Sequence, residues 1–184
     1  MDLDSQVGKS LALVGVALVA LWVFRSKRPS KHFSLAELTT TSTGLSNVPG
    51  LAARGKLEKL ANEVLEPLRD RFGAIRVNSG YRSPAVNQAV GGAGGYCTQA
   101  TNPKCSSHTS GNAADVEALD GTPASTLAAW LYDSDLPLNQ VIIYWNTGHL
   151  HVARDEGPKP YRRDFKQTYD GKNYEAWKPG GRQS

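Results

Sequence analysis

The pattern of apolar and polar positions divides the chain into three stretches. Ser10 to Phe24 (SLALVGVALVALWVF) is an uninterrupted apolar run of 15 residues, and carrying it back to Val7 admits only Lys9. As a helix it is about 22 to 27 Å long, short for a bilayer span. It is apolar on every side, which argues against an amphipathic surface helix and leaves two readings, a membrane anchor or a helix buried in an assembly. No small-residue cleavage pattern follows, so an uncleaved segment is expected rather than a removed signal peptide. The basic linker RSKRPSKH, residues 25–32, comes next, and Pro29 marks where a helix should have ended.

The middle stretch, 32–154, has the pattern of a folded domain. Ser34 and Glu37 form a capping-box pair at the start of a short helix, Phe33 to Leu38. Thr39 to Pro49 is a polar loop. Leu57, Leu60, Ala61, Val64, Leu65, Leu68 and Phe72 recur at helical spacing, which predicts a helix from about Leu51 to Phe72, kinked at Pro67 and ended by Gly73. Strands are predicted at Ile75 to Asn78, Ala113 to Ala118, Gln140 to Tyr144 and His149 to Ala153, with helices at Ala85 to Val90 and Pro123 to Tyr132. Asn146-Thr147-Gly148 forms the turn of the last hairpin. The fold class expected is α+β, a small, mostly antiparallel sheet flanked by helices and preceded by the N-terminal apolar helix. After Arg154 the chain becomes polar, with scattered Tyr, Phe and Trp, and residues 155–184 read as an extension that packs on the domain or a partner without a core of its own.

Composition changes this picture little. The 184 residues are 40% hydrophobic, enough for one packed domain with an appendage. The formal charge of +4 shrinks once residues 1–28 are set apart, because the remainder carries 17 basic against 15 acidic groups. No stripe of Lys and Arg interleaved with aromatics occurs there, so no nucleic-acid partner is expected. Cys97 and Cys105 lie eight apart in a Gly-rich segment; a local disulfide and two free thiols both fit, and a thiolate zinc site fits less well because its cysteines are usually closer and paired.

Candidate chemistry is concentrated in two short stretches that hold three of the four histidines. Ser106 to Asp115 places His108 and Asp115 seven apart among small residues. Gly148-His149-Leu150-His151-Val152 places two histidines on one face of a strand. A catalytic zinc takes three protein ligands and keeps a position for water. A buried His hydrogen-bonded to an Asp is the bland alternative. In Ser79-Gly80-Tyr81-Arg82-Ser83-Pro84, the planar fork of Arg82 suits a substrate carboxylate, and a structural ion pair is its alternative.

Taken in order, these motifs resemble the zinc peptidases of the D-alanyl-D-alanine carboxypeptidase and L-alanyl-D-glutamate endopeptidase type, which cut peptides of bacterial cell walls. The resemblance runs from about His32 to Val152. It rests on the Phe33 to Leu38 and Val64 to Arg69 segments, Asn78 to Ser83, Asn87 with Val90-Gly91-Gly92, Ser107 to Asp115, and His149 to Val152. It implies a zinc site on the sheet with His108, Asp115 and His151 as ligands, Arg82 on a substrate carboxylate, and Ser107 and Tyr81 beside it. Two neutral imidazoles and one carboxylate would leave the zinc a net positive charge and an open position for water.

The sequence departs from that family where a proton acceptor is needed. Members usually place a Glu or Asp shortly before the last His ligand, but no carboxylate occurs between Asp135 and Asp155, and Tyr144 and Trp145 stand near the expected position. His149 is the nearest replacement, since some relatives use an imidazole there. Glu117, on the same strand face as Asp115, is the second candidate, and loss of hydrolysis is the third reading. The implied partner is peptidoglycan peptide. Basic residues follow the apolar run, so the positive-inside rule would leave the domain in the cytoplasm, away from any wall. A phage lytic protein, such as an endolysin or a virion-associated enzyme, resolves that conflict: residues 7–24 would attach it to membrane or virion, and it would act in the periplasm or cell wall.

Overall fold

A computed structural model describes residues 28–92, 94 and 106–180. The apolar run 7–24 and both cysteines therefore lie outside the described residues, and among those described no helix is long and apolar enough to cross a membrane.

Helix α1, Leu35–Leu38, begins with the expected capping box, in which Ser34 Oγ accepts from the Glu37 amide at 3.2 Å and Glu37 Oε2 accepts from the Ser34 amide at 3.4 Å. The long helical rod forms in two parts. Helix α2, Leu51–Leu60, runs through a π turn at Ala61–Leu65 into helix α3, Glu66–Phe72. Pro67, predicted as a kink, sits in the first turn of α3. A proline has no N–H to give to the preceding turn, and the widened π turn directly before it absorbs that defect. Gly73 ends the rod at φ 76°, ψ −150°.

Strand β1, Ile75–Ser79, follows, then short helices α4, Pro84–Ala89, and α5, Ser107–Ser110. Next come β2, Ala113–Ala118, helix α6, Ala124–Asp133, and the hairpin of β3, Leu138–Tyr144, with β4, His149–Arg154. The polar stretch after Arg154 does more than cover the domain, because it supplies β5, Asp164–Thr168, and β6, Glu175–Ala176. The six strands form one sheet in the order β1-β2-β4-β3-β5-β6. It is mixed: β3 and β5 run parallel, and every other pair is antiparallel.

The hold on β5 comes from single residues that composition concealed. Phe165 is buried, with its ring centroid 5.1 Å from that of Tyr132 on α6. Arg163 donates to the carbonyls of Leu131 and Tyr132 at 2.8 Å each, closing the C-terminal end of α6 where backbone acceptors are left over.

Alternation then divides the sheet's faces. Val77, Val116, Val141, Ile143, Leu150 and Val152 point to one side and join Leu57, Leu60, Leu65 and Leu68 of the rod and Leu127 and Leu131 of α6 in one buried core. The opposite face carries Asp115, His149 and His151. Its polar side chains are thus mounted on strands whose backs are anchored in the core.

Candidate metal centre

One row of paired residues crosses that open face: Ser79 opposite Asp115, Asp115 opposite His151, His151 opposite Ile142, and Ile142 opposite Lys166. Helix α5 brings His108 to the row. The helix ends at Gly111, whose backbone is left-handed at φ 83°, and a Cβ there would stand 2.5 Å from the Ala53 carbonyl oxygen. Only glycine fits both demands. Gly80 is constrained in a similar way, since a Cβ on it would overlap the Leu38 carbonyl. Its own carbonyl accepts from His108 Nδ1 at 2.7 Å. In the neutral ring that bond keeps the proton on Nδ1 and turns Nε2 toward the row.

Three ligand atoms converge. His151 Nδ1 lies 2.9 Å from Asp115 Oδ1, and His108 Nε2 lies 3.3 Å from the same oxygen and 3.2 Å from His151 Nδ1. All three residues are buried, and their ligand atoms lie within 4.8 Å of one another. Burial pushes the Asp115 carboxyl up, but charge and hydrogen bonds from His108 and His151 outweigh it and hold it well below the usual carboxylate range. Burial, aided by His108 and Arg82, holds His151 below the ordinary imidazole value against the pull of Asp115. A carboxylate and a neutral imidazole are the forms that bind a metal.

The cleft above this row has a volume of about 470 Å³ and is lined by Arg82, Ser107 and His149 as well as the three ligand types. Arg82 donates from Nη2 to Asp115 Oδ2 at 2.5 Å and from Nε to Ser79 Oγ at 2.8 Å. It therefore orients a ligand carboxylate while facing the cleft. His149 stacks on Tyr144 with ring centroids 4.5 Å apart, and its Nδ1 lies 2.7 Å from Thr147 Oγ1. Burial is the main cause that holds its pKa below the ordinary value, which keeps it a neutral acceptor.

Residues 31–153 match the family model of Peptidase M15. The chain belongs to that family. No curated protein matches it. M15 peptidases are zinc-dependent and of the D-alanyl-D-alanine carboxypeptidase type, acting on peptidoglycan-type substrates. The donor set of this M15 domain fits zinc: two imidazole nitrogens and one carboxylate oxygen face a common point, one imidazole is oriented through its far nitrogen, and the cleft stays open beside them.

Two of the anticipated site residues lie elsewhere. Tyr81 is buried in the hydrophobic core and does not line the cleft; its N–H donates to the Leu38 carbonyl and its carbonyl accepts from Asn47, which turn the residue inward after Gly80. Glu117 shares the Asp115 face, but its carboxylate is paired with Arg76 across the β1–β2 ladder and is not part of the cleft wall. In turn, sequence reasoning missed Gln140, Lys166 and Tyr174 in that wall. Strand alternation through Tyr144 would have found Gln140. Lys166 and Tyr174 required the recognition of β5.

Proposed function

We propose that this M15 domain hydrolyses stem or cross-link peptides of peptidoglycan, with His149 accepting the proton of the attacking water. The observation that carries this reading is the convergence of His108, Asp115 and His151 at the floor of a cleft that also exposes a neutral imidazole and a guanidinium. Zinc bound to these residues supplies a Lewis acid for the scissile carbonyl and lowers the pKa of the attacking water. Arg82 has Nε and Nη2 committed to Ser79 and Asp115 and turns Nη1 to a substrate carboxylate, which fixes the register of the peptide. Ser107, beside His108 on α5, offers a hydroxyl to the peptide backbone. His149 is held by Thr147 at Nδ1, takes the water's proton at Nε2, and returns it to the leaving amine. Tyr144 keeps the ring in place by stacking.

Delivery is part of the proposal. Residues 7–24 attach the enzyme to a membrane or a virion, and the domain acts in the periplasm or wall as a phage lytic protein. The test is to incubate the zinc-loaded full chain with cell-wall sacculi, with and without a chelator. New amino termini, abolished by the chelator, support hydrolysis. A second reading is a zinc-containing wall-binding or structural virion module without turnover, and it is favoured by one observation: Asp115 is the only carboxylate lining the cleft among the described residues. Zinc retention with binding to sacculi and no released termini selects that reading.

A further inference from the structure

The row that holds the metal ligands ends on a cation. Across the sheet it reads Ser79, Asp115, His151, Ile142, Lys166, so Arg82, just after β1, and Lys166, on β5, stand on opposite sides of His151. Both line the cleft. Lys166 lies two strands from His151, about 10 Å at the usual strand spacing. An extended peptide advances about 3.3 Å per residue, so with the reach of its own side chain Lys166 addresses a group two to three residues from the scissile bond.

Its charge is not consumed locally. Lys166 Nζ lies 3.0 Å from Asp164 Oδ2, but the same oxygen also takes Arg162 at 3.4 Å and Gln140 Nε2 at 3.2 Å. Two cations thus share one carboxylate, and Asp115, the only carboxylate lining the cleft among the described residues, already belongs to the ligand set and Arg82. Tyr144 and Tyr174, whose hydroxyls lie 3.3 Å apart, form a polar wall on the same side. Lys166 and Tyr174 both fall after residue 153, where the family match ends. On this side the segment after residue 153 adds Lys166 and Tyr174 to Tyr144 of the matched region.

We propose that Lys166 is a specificity-determining residue, whose ammonium binds a second substrate carboxylate two to three residues from the scissile bond, on the side opposite the carboxylate held by Arg82. The substrate class is a wall peptide that is acidic at that position, and amidation of the same carboxyl removes the contact. The inference rests on the peptide-hydrolysis reading only for the identity of the ligand, and binding tests it without turnover.

The experiment uses the zinc-loaded full chain and a pair of synthetic wall peptides that differ only in whether that carboxyl is free or amidated. Calorimetric Kd and, separately, kcat and KM are measured for wild type, Lys166→Ala and Lys166→Arg. A charge-assisted hydrogen bond at a half-open site predicts about tenfold tighter binding of the free acid by wild type. In Lys166→Ala the ratio falls to near one through Kd and KM with zinc content retained, and Lys166→Arg restores it. Preference that survives Lys166→Ala, or a loss that appears in kcat for both peptides alike, overturns the assignment. Preference in binding without cleavage upholds Lys166 and removes hydrolysis; cleavage without preference does the reverse. Absence of both binding and cleavage removes both.

Discussion

Among the described residues two clusters combine histidine with a carboxylate, and only one of them brings together three ligand atoms that could hold a metal. At Glu66, Oε1 accepts from Ser30 Oγ at 2.6 Å and from the His32 amide at 2.7 Å, and Oε2 lies 2.6 Å from His32 Nδ1. Both oxygens thus have close partners, all from the segment Ser30 to His32. At Asp115, Oδ2 is met by Arg82, and Oδ1 faces two imidazole nitrogens, His108 Nε2 and His151 Nδ1. The Glu66 carboxylate ties the chain entry to α3 through hydrogen bonds to one segment, whereas the Asp115 carboxylate converges with two ring nitrogens from separate elements, an arrangement that could hold a metal ion. Residue types alone do not separate these cases. The convergence of three ligand atoms at Asp115 does.

The largest effect that can break this comparison is loss of the ligands. His151→Ala or Asp115→Ala should abolish stoichiometric zinc, read by metal analysis, and lower peptide release at least about 10³-fold, beyond the 10- to 100-fold typical of groups one shell out. His32→Ala should leave zinc content unchanged. Zinc at 100 times its Kd should also raise the stability of the wild type by about 2.7 kcal/mol in denaturant unfolding, and that increment should vanish in the ligand variants. Equal zinc loss in His32→Ala and His151→Ala would erase the distinction.

Next in size is the proton acceptor. His149→Ala should keep its zinc and lose roughly 10²- to 10⁴-fold in kcat, whereas Glu117→Gln, a change away from the cleft and beside Arg76, should stay within about twofold of wild type. A steady-state assay on a defined wall peptide reads both. Unchanged turnover in His149→Ala would remove the imidazole as base and return the question to the wall formed by Tyr144.

How far the sequence carries depends on where each signal resides. The ligands were legible because their restraints are local: His108 and Asp115 sit among small residues that Gly111 allows to pass beside Ala53, and two-residue alternation along β4 puts His149 and His151 on one face. The core face was legible for the same reason. The strands β5 and β6 were not, because Asp164, Lys166 and Glu175 are polar and the strand is held by Phe165 and by the grip of Arg163 on α6, a contact across 32 residues. Tyr81 was read from a motif and Glu117 from alternation, and neither signal carries the long-range contacts that set Tyr81 against Leu38 and Glu117 against Arg76.

A smaller effect should come from the turn that delivers His108. Gly111→Ala forces a side chain onto a left-handed residue and against the Ala53 carbonyl. A loss of about 2 kcal/mol is expected in urea unfolding, together with weaker zinc binding as α5 shifts. Gly148→Ala is the control. Gly148 is also left-handed, at φ 73°, but has nothing within 4 Å of a new Cβ, so it should lose less stability and none of the zinc affinity.

The smallest effect probes the satisfied carboxylate through pH. Burial pushes the Glu66 carboxyl up, but hydrogen bonds from Ser30 and His32 outweigh it, and its pKa lies below the ordinary value of 4.5. A carboxyl with a depressed folded-state pKa contributes stability above its unfolded value, and that contribution is lost as pH falls through the folded value. Denaturant unfolding of wild type and Glu66→Gln should therefore differ by about 1 kcal/mol at pH 6, with wild type the more stable, and the difference should close progressively below pH 4.5. The comparison requires that this pH-dependent gap be the same with and without zinc, because no donor at Glu66 is shared with Asp115. A gap that widened on zinc addition would mean that the clamp and the metal centre form one coupled unit, with α3 carrying the coupling between them.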